Sequence, residues 1–327
     1  MTIQVRAIRV HETGGPEVLR PETIAIPEPG PGEARVRHGA VGLNFIDTYF
    51  RSGLYKAPAL PFTPGNEGAG VVEAVGEGVR LVRPGDRVAY TASLGSYAEA
   101  RNLAADRLVK LPDAVGDALA ASVMLKGLTA WYLLRRTFPV GPEHTVLIHA
   151  AAGGVGQIAV QWAKALGAVV IGTAGGPEKT ARARELGCDH AIDYRSESFV
   201  DRVRQITGGR GCDVVYDSVG RDAFPGSLDC LKPLGLWVSF GQSSGALPPV
   251  DTQLLSQKGS LFMTRPTLFT YIARREDLEA GAAELFGLIA DGTLKAAVNQ
   301  TWPLAAAAEA HRALEGRRTT GASVLLP

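Results

Sequence analysis

The chain has 327 residues and a formal net charge of +1, with 46% hydrophobic and 20% charged residues. This composition is typical of an enzyme with packed cores, the length favours two domains, and the near-neutral charge argues against nucleic acid or an anionic membrane as the main partner. No apolar run is long enough to span a bilayer, and residues 1–20 mix charged with strand-forming residues, unlike a signal peptide, so we expect a cytoplasmic protein.

The first 110 residues are predicted to form a β-rich, barrel-like domain, because short apolar segments alternate with Gly and Pro. The predicted strands in this region cover 6–10, 34–41, 70–75 and 86–90. From about Ala118 the pattern becomes helical through Leu134, and it then changes to alternating strands and helices.

This alternation predicts a doubly wound parallel sheet. The strands are expected at 145–150, 169–173, 190–192, 213–217 and 236–240, and the helices at 154–167, 177–187, 198–207 and 222–232. Further elements are expected at 259–263 (the last strand of the sheet), 276–291 (a helix), 303–316 (an unassigned segment) and 322–326 (a strand that rejoins the first domain). Because a hydrophobic edge strand is commonly covered by a second copy, the strand at 259–263 predicts a homodimer.

The turn between the strand 145–150 and the following helix carries the pattern Ala151-x-Gly153-x-x-Gly156. This is the Gly-x-Gly-x-x-Gly fingerprint of dinucleotide sites with alanine in the first place: Gly153 lets the backbone approach a pyrophosphate, and Gly156 lets the helix pack on the strand. Phosphates bind at such a turn because N–H groups at a helix start lack partners. We therefore predict that a nucleotide binds at the turn, through Ala152, Gly153, Gly154, Val155 and Gly156.

The second strand of the alternation ends in Thr173-Ala174-Gly175-Gly176. NAD-selective sites usually carry Asp or Glu there, about 20 residues after the glycines, to bind the ribose 2′-hydroxyl. With no carboxylate in this stretch and Lys179 in the first turn of the next helix, the sequence favours NADPH. We predict that Thr173, Gly175 and Lys179 contact the cofactor, whereas Arg182 and Arg184 are expected on a solvated helix face.

Several segments together resemble the quinone oxidoreductases, the zeta-crystallin-like enzymes in the zinc-free part of the medium-chain dehydrogenase/reductase superfamily. The motifs are the turn extended to Leu147-x-x-x-Ala151-Ala152-Gly153-Gly154-x-Gly156-x-x-x-x-Gln161-x-x-Lys164, Asn44-Phe45-Ile46-Asp47-Thr48-Tyr49, Gly53-Leu54-Tyr55, Gly65-Asn66-Glu67-Gly68-Ala69-Gly70, Tyr216-Asp217-Ser218-Val219-Gly220, Ser239-Phe240-Gly241 and the ending from Gly321 to Pro327. The resemblance covers the whole chain and implies a Rossmann domain inserted into a GroES-like β-barrel domain, with the nicotinamide in the cleft between them. The implied boundaries are 1–122 and 266–327 for the barrel domain and 123–265 for the nucleotide domain.

Zinc-dependent relatives bind the metal through Cys and His. In this chain the barrel region has no cysteine, Asn66 precedes Glu67 where those relatives have His, and Cys188, Cys212 and Cys230 are few and widely spaced. We expect no metal site and no disulfide framework. The reaction implied by the resemblance is direct hydride transfer from NADPH to a quinone.

The resemblance also implies the site residues. Tyr55 is the first candidate for proton donor, with Tyr49 as the alternative, and Asn44 and Asp47 are expected to orient the cofactor. Further cofactor contacts are expected at Phe45, Thr129, Tyr194, Ser218, Phe240, Gly241, Ser243, Arg265 and Arg317.

Two other functions stay open at this point. Reduction of an activated carbon–carbon double bond, in an alkenal, enone or enoyl thioester, uses the same half-site for the cofactor. Some zeta-crystallin-like proteins are instead nucleotide-bound structural or RNA-binding proteins, although this chain has no basic, aromatic-rich stripe.

Overall fold

The computed structural model describes residues 2–327, which separate into two compact units. The first unit extends to Leu128 and also contains Ala273–Phe286 and Ala296–Pro327, and the second contains Thr129–Ile272 and Gly287–Lys295. The first segment thus continues past the expected boundary at residue 122, and Gly287–Lys295 packs with the second unit instead of the first.

Strands and helices are numbered along the chain. The strands are β1 Ile3–Arg9, β2 Arg20–Ile26, β3 Glu33–Leu43, β4 Glu67–Val75, β5 Arg87–Thr91, β6 Ala100–Ala104, β7 Val109–Lys110, β8 Thr145–Ile148, β9 Val169–Ala174, β10 His190–Asp193, β11 Cys212–Asp217, β12 Leu231–Ser239, β13 Phe262–Thr264, β14 Val298–Pro303 and β15 Ala322–Leu326. The α-helices are α1 Phe45–Ser52, α2 Asp117–Trp131, α3 Gly154–Ala165, α4 Pro177–Glu185, α5 Phe199–Ile206, α6 Gly226–Asp229, α7 Gln253–Gln257, α8 Leu268–Tyr271, α9 Arg275–Ala290 and α10 Ala307–Glu315. A π-helical segment, Tyr132–Thr137, follows α2 directly.

The second unit is built on a six-stranded sheet in the order β10-β9-β8-β11-β12-β13, with every neighbouring pair parallel. The chain starts in the middle of the sheet at β8, builds outwards to β10, and then crosses over to β11. This is the strand order of a Rossmann sheet, and its ligands bind at the carboxyl ends of the strands, next to the crossover. The doubly wound parallel sheet predicted from the alternating pattern is confirmed.

The first unit contains a seven-stranded sheet, in which β14, β15, β3, β4, β5 and β7 follow one another and β6 also pairs with β3. The terminal strand β15 lies between β14 and β3, so it joins the sheet formed by the first part of the chain, as predicted. A separate antiparallel pair, β1 and β2, completes the strands of this unit.

The helix predicted at 222–232 is wrong over most of its length. Only Gly226–Asp229 is helical, and β12 begins at Leu231. Leu231 pairs with Cys212 of β11 and is buried with Cys230, so the burial of these apolar side chains against the neighbouring strand outweighs the local helix signal.

The last strand of the parallel sheet is shorter than predicted. Gly259 and Ser260 have φ values of +108° and +55°, which an extended strand excludes. Both residues donate their N–H groups to the carbonyl oxygen of Ser256 at the end of α7. The range 259–263 is therefore corrected to 262–264, and β13 forms one edge of the sheet.

In the described part of the chain, no helix combines the length and hydropathy needed to cross a membrane.

Candidate functional site

The glycine turn predicted from the sequence connects β8 with α3. Ala150 has a left-handed backbone with φ of +52°, and the N–H of Ala151 donates to the carbonyl oxygen of Thr173 at 2.9 Å. Gly153 is the N-cap of α3, and the first helical residue is Gly154. The turn is thereby held against β9 while it reverses the chain into the helix.

The glycines of this turn have different physical roles. A Cβ on Gly156 would overlap the carbonyl oxygen of Ala150, so only glycine lets α3 lie this close to the end of β8. Gly153, Gly154 and Val155 are half-buried, so their backbone reaches the surface. N–H groups at a helix start have no partner within the helix and carry the positive end of its dipole, so the turn fits a pyrophosphate.

The end of β9 is covered by two side chains that directly follow the neighbouring strand β10. A Cβ on Gly175 would lie 2.5 Å from the Tyr194 hydroxyl oxygen and 3.2 Å from Arg195 Nε, so Gly175 leaves room for these two side chains to approach the turn. Lys179 lies in the first turn of α4. The structure therefore brings Gly175, Lys179 and Tyr194 together at one turn and adds Arg195, which no sequence pattern indicated.

A carboxylate that no sequence pattern indicated also reaches this turn. Asp193 is the last residue of β10, and its Oδ1 accepts the N–H groups of Gly176 at 2.8 Å and of Arg195 at 3.0 Å. These two hydrogen bonds lower the pKa of Asp193. Because one carboxylate oxygen is engaged with the backbone and the Arg195 guanidinium lies beside the same turn, the negative charge is partly compensated.

The loops after β11 and β12 lie against each other. The carbonyl oxygen of Ser218 accepts the N–H of Ser243 at 3.1 Å, and that of Asp217 accepts the N–H of Phe240 at 2.8 Å. A Cβ on Gly241 would lie only 2.7 Å from the Ser218 carbonyl oxygen. The predicted residues Ser218, Phe240, Gly241 and Ser243 thus share the carboxyl end of the sheet with the glycine turn.

An aromatic pair lies near Arg265, which donates a hydrogen bond of 2.7 Å to the carbonyl oxygen that ends β12. Tyr132 stacks on Tyr271 with ring centroids 4.5 Å apart, and Arg265 is close enough to lower the pKa of Tyr132, although burial raises it more. Tyr132 opens the π-helical segment, and such segments often occur at functional sites. Thr129, one turn earlier in α2, is buried. The sequence pattern gave no signal for the aromatic pair.

In the first unit, Asn44 is the N-cap of α1 and rests on a buried ion pair. Its Nδ2 donates to Glu67 Oε1 at 2.7 Å, and Lys126 Nζ reaches the same oxygen at 3.0 Å. Glu67 Oε2 accepts the backbone N–H of Leu125 at 2.7 Å. Because Glu67 and Lys126 are both buried, they hold the amide of Asn44 in one orientation.

Asp47 is fully buried, so it acts on the site through its neighbours. Its Oδ2 accepts the N–H of Asn44 at 2.8 Å and the hydroxyl of Tyr97 at 2.9 Å, and that hydroxyl also lies 3.1 Å from His311 Nε2. Burial raises the pKa of Asp47 to about 7, and the Glu67 charge adds to the rise. Among residues 2–327, Asp47 Oδ1 has no hydrogen-bond partner.

An aromatic cluster surrounds the proton-donor candidate. Tyr55 packs edge-on against Tyr49 and Phe50, with ring centroids 5.1 Å and 5.7 Å apart, and Phe45 lies 6.5 Å from Tyr49. Gly53 ends α1 with φ of +82° and turns the chain, so that the N–H of Tyr55 donates to the Tyr49 carbonyl oxygen at 2.9 Å. Tyr49 is 9% exposed, whereas Tyr55 is half-buried, which favours Tyr55 for contact with a ligand.

Arg317 belongs to the turn after α10 and is exposed, with a left-handed φ of +57°. The candidate residues therefore form one group at the carboxyl end of the parallel sheet and a second group around α1 and this turn. No cluster of three or more His, Cys, Asp or Glu side chains that could hold a metal ion occurs within the described residues.

Comparisons with known proteins agree with both units. Residues 30–113 match the family model described as alcohol dehydrogenase GroES-like domain, and residues 154–287 match the one described as zinc-binding dehydrogenase. The GroES-like expectation for the first unit is thereby confirmed.

Three individual proteins are similar over nearly their whole length. A quinone oxidoreductase of Pseudomonas aeruginosa is 56% identical, covering 96% of this chain and 97% of its own. The crystal structure of Escherichia coli quinone oxidoreductase complexed with NADPH superposes with a TM-score of 0.97 at 50% identity, covering 98% and 100% of the two chains. A 2-haloacrylate reductase of Burkholderia is 45% identical, covering 99% of each chain. The chain belongs to the quinone oxidoreductase family of the medium-chain dehydrogenase/reductase superfamily.

Proposed function

We propose that this chain is an NADPH-dependent quinone oxidoreductase. The observation that carries the proposal is the glycine turn before α3, whose open backbone lies at the same sheet end as Lys179, Tyr194 and Arg195. The family membership and the NADPH named for the E. coli relative support the same cofactor and reaction.

The residues of the second unit fit a phosphorylated dinucleotide. The backbone of Gly153, Gly154 and Val155 would hold the pyrophosphate, and Lys179 and Arg195 would bind the 2′-phosphate. Tyr194 and the residues after β11, β12 and β13 would line the rest of the nucleotide site. Bound NADPH supplies the hydride that reduces the acceptor.

The residues around α1 serve the acceptor half of the reaction. Two-electron reduction of a quinone needs a proton in addition to a hydride, and Tyr55 is the hydroxyl that we assign as its donor. Because Tyr55 is half-buried, solvent can return a proton to it. Asn44, held by Glu67, and Asp47, held by Tyr97, position the start of α1 beneath this aromatic cluster.

Reduction of an activated carbon–carbon double bond is the second candidate, because a 2-haloacrylate reductase is 45% identical over the whole chain. Quinones and haloacrylates are both conjugated acceptors that take a hydride at an electrophilic carbon. A difference in the acceptor pocket would therefore suffice to separate the two activities.

The substrate class is tested by following NADPH absorbance with 1,4-benzoquinone, 1,2-naphthoquinone, an enone, an enoyl thioester and 2-chloroacrylate. We expect kcat/KM for the better quinone to exceed that for each alkene by about tenfold or more, the discrimination that a difference of 1–3 kcal/mol in the pocket provides. A higher kcat/KM for any alkene would instead favour reduction of an activated carbon–carbon double bond as the function.

The proton donor is tested with Tyr55→Phe, which removes the hydroxyl and keeps the ring contacts with Tyr49 and Phe50. We expect turnover to fall by about tenfold or more, since acid catalysis typically contributes 10²–10⁴-fold, with little change in the Kd for NADPH. Tyr55→Leu is the matched variant that also loses the ring. Full turnover in Tyr55→Phe with a loss in Tyr55→Leu would reduce the role of this residue to aromatic packing.

The cofactor preference is tested by measuring kcat/KM with NADPH and with NADH. Substituting Lys179 or Arg195 with Ala should lower the NADPH/NADH ratio by about tenfold in each case, the effect of one charge-assisted hydrogen bond, and the Lys179 and Arg195 double variant should have no preference. Arg182→Ala is the control, because Arg182 is half-buried on the helix of Lys179 and paired with Glu185 at 3.0 Å. A ratio that survives in the double variant would refute this assignment.

We also propose that the protein is a homodimer through β13 and works in the cytoplasm. Phe262 and Met263 of this edge strand are 60% and 39% exposed, and Leu234 in the neighbouring strand β12 is 64% exposed. Such an apolar edge favours pairing with a second copy. All three cysteines are unpaired and buried, which is typical of a reducing compartment.

The dimer is tested by light scattering on the purified protein. We expect twice the chain mass of 34.4 kDa for the wild type and a single chain mass for Phe262→Asp, because a carboxylate at the centre of the apolar edge would lose its hydration. Leu81→Asp is the control, since Leu81 is also exposed, at 44%, and belongs to the other unit. A single chain mass for the wild type would contradict the proposal.

A further inference from the structure

A chain of hydrogen bonds runs beneath the carboxyl ends of four parallel strands in the second unit. The Thr173 hydroxyl lies 2.9 Å from His149 Nδ1, and His149 Nε2 lies 3.1 Å from the Ser227 hydroxyl oxygen. Ser227 donates to Asp217 Oδ2 at 2.9 Å, and Trp237 Nε1 donates to the same oxygen at 3.2 Å. Each of these five residues is at most 3% exposed.

Asp217, the acceptor at the end of this chain of hydrogen bonds, fixes the direction of each of them. Asp217 Oδ2 accepts the Ser227 proton, so the Ser227 oxygen accepts from His149 Nε2–H, and His149 Nδ1 is left to accept from the Thr173 hydroxyl. Burial lowers the pKa of His149, although the Asp217 charge opposes the effect. A neutral imidazole protonated at Nε2 is the form that this direction requires.

This chain of hydrogen bonds joins the three loops that contain the candidate nucleotide contacts. His149 immediately precedes the left-handed residue Ala150 that opens the glycine turn. Thr173 lies near the end of β9, where Gly175 and Gly176 follow. Asp217 Oδ1 accepts the N–H groups of both Val219 and Gly220, which shapes the loop that contains Ser218.

A serine, a histidine and an aspartate in contact also occur in hydrolases, but the order here is different. In a hydrolytic triad the histidine lies between the other two and accepts the serine proton, whereas here Ser227 donates directly to Asp217. Ser227 is 0% exposed, so no substrate can reach its hydroxyl. The chain of hydrogen bonds therefore has a positioning role.

We infer that His149, Ser227 and Asp217 are positioning residues that hold the glycine turn, the end of β9 and the loop after β11 in the arrangement that binds the dinucleotide. None of the three needs to touch the ligand. The inference rests on the proposed nucleotide site. Its test must therefore distinguish residues that contact the nucleotide from residues that only hold those contacts in place. Ser227 joins His149, before the glycine turn, to Asp217, before the loop after β11, and these two loops would contact the part of the nucleotide that NADPH and NADH share.

The test is calorimetric titration of NADPH and of NADH into the purified protein without any quinone, so that binding is measured apart from turnover. Ser227→Ala leaves His149 Nε2–H without its acceptor, and we expect the Kd values for both nucleotides to rise by about fivefold or more, with the ratio between them unchanged. This pattern differs from that of the Lys179 and Arg195 variants, which should affect NADPH alone.

A second pair of variants keeps the test decisive if Ser227→Ala folds poorly. Thr173→Val keeps the shape and removes the hydroxyl, so both Kd values should rise, whereas Thr173→Ser should restore values within about twofold of the wild type. Thr145→Val is the matched control, because it removes a buried hydroxyl that accepts a hydrogen bond from Arg210 at the opposite end of the sheet. The control should lower the melting temperature without changing either Kd.

Equal Kd values in the wild type and in Ser227→Ala, with only the melting temperature lowered, would overturn the inference. A rise in Kd for Thr145→Val of the same size would overturn it as well, since any loss of stability would then have the effect. Failure of the wild type to bind either nucleotide would be a different result, because it would overturn the proposed function as well as the positioning role of these residues.

Discussion

The candidate nucleotide site depends on how closely the start of α3 approaches the carbonyl groups at the end of β8. Glycine at position 156 is the only residue that this approach admits, because a Cβ there would overlap the Ala150 carbonyl oxygen. The close approach aims the first N–H groups of α3 at the carboxyl end of the sheet, where the loops after β9, β11 and β12 also lie. An anion bound at the helix start would therefore lie within reach of the side chains that the other loops carry.

Buried polar groups support both groups of candidate residues. Around α1, Glu67 and Lys126 orient Asn44, and Tyr97 orients Asp47. At the carboxyl end of the parallel sheet, Thr173, His149 and Ser227 form a series of hydrogen bonds that ends at the acceptor Asp217. Buried polar networks are costly when incomplete and specify a single arrangement when complete, so they suit loops that must bind a charged ligand in one geometry.

The sequence pattern predicted most of what local periodicity and turn chemistry determine. The alternation from residue 145 onward gave the parallel sheet, and the glycine pattern gave the turn at 151–156. The predictions from sequence are wrong where contacts with a distant part of the chain determine the secondary structure. The helix expected at 222–232 is reduced to Gly226–Asp229, and its predicted end belongs to β12, because pairing with Cys212 buries Leu231. β14 lacked a clear local signal, since only its pairing with β15 defines it.

The candidate site shows the same division between local and distant information. Residues next to the glycine turn or at strand ends were recognisable because a doubly wound sheet places its ligand there. Asp193 and Arg195 reach the end of β9 only because β10 pairs with that strand, and the burial of Asp47 depends on Tyr97 and on His311, far apart in sequence. Contacts of this kind have no periodicity, so only the folded chain reveals them.

The central claim is that the backbone around Gly153, together with the cations at the end of β9, binds NADPH without help from a metal ion. Calorimetric titration of NADPH into protein that has been treated with a chelator and dialysed tests it most directly. The account predicts saturable binding of one nucleotide per chain with the same Kd before and after the treatment. An absence of binding heat, or binding that disappears with the chelator and returns with zinc, would contradict it.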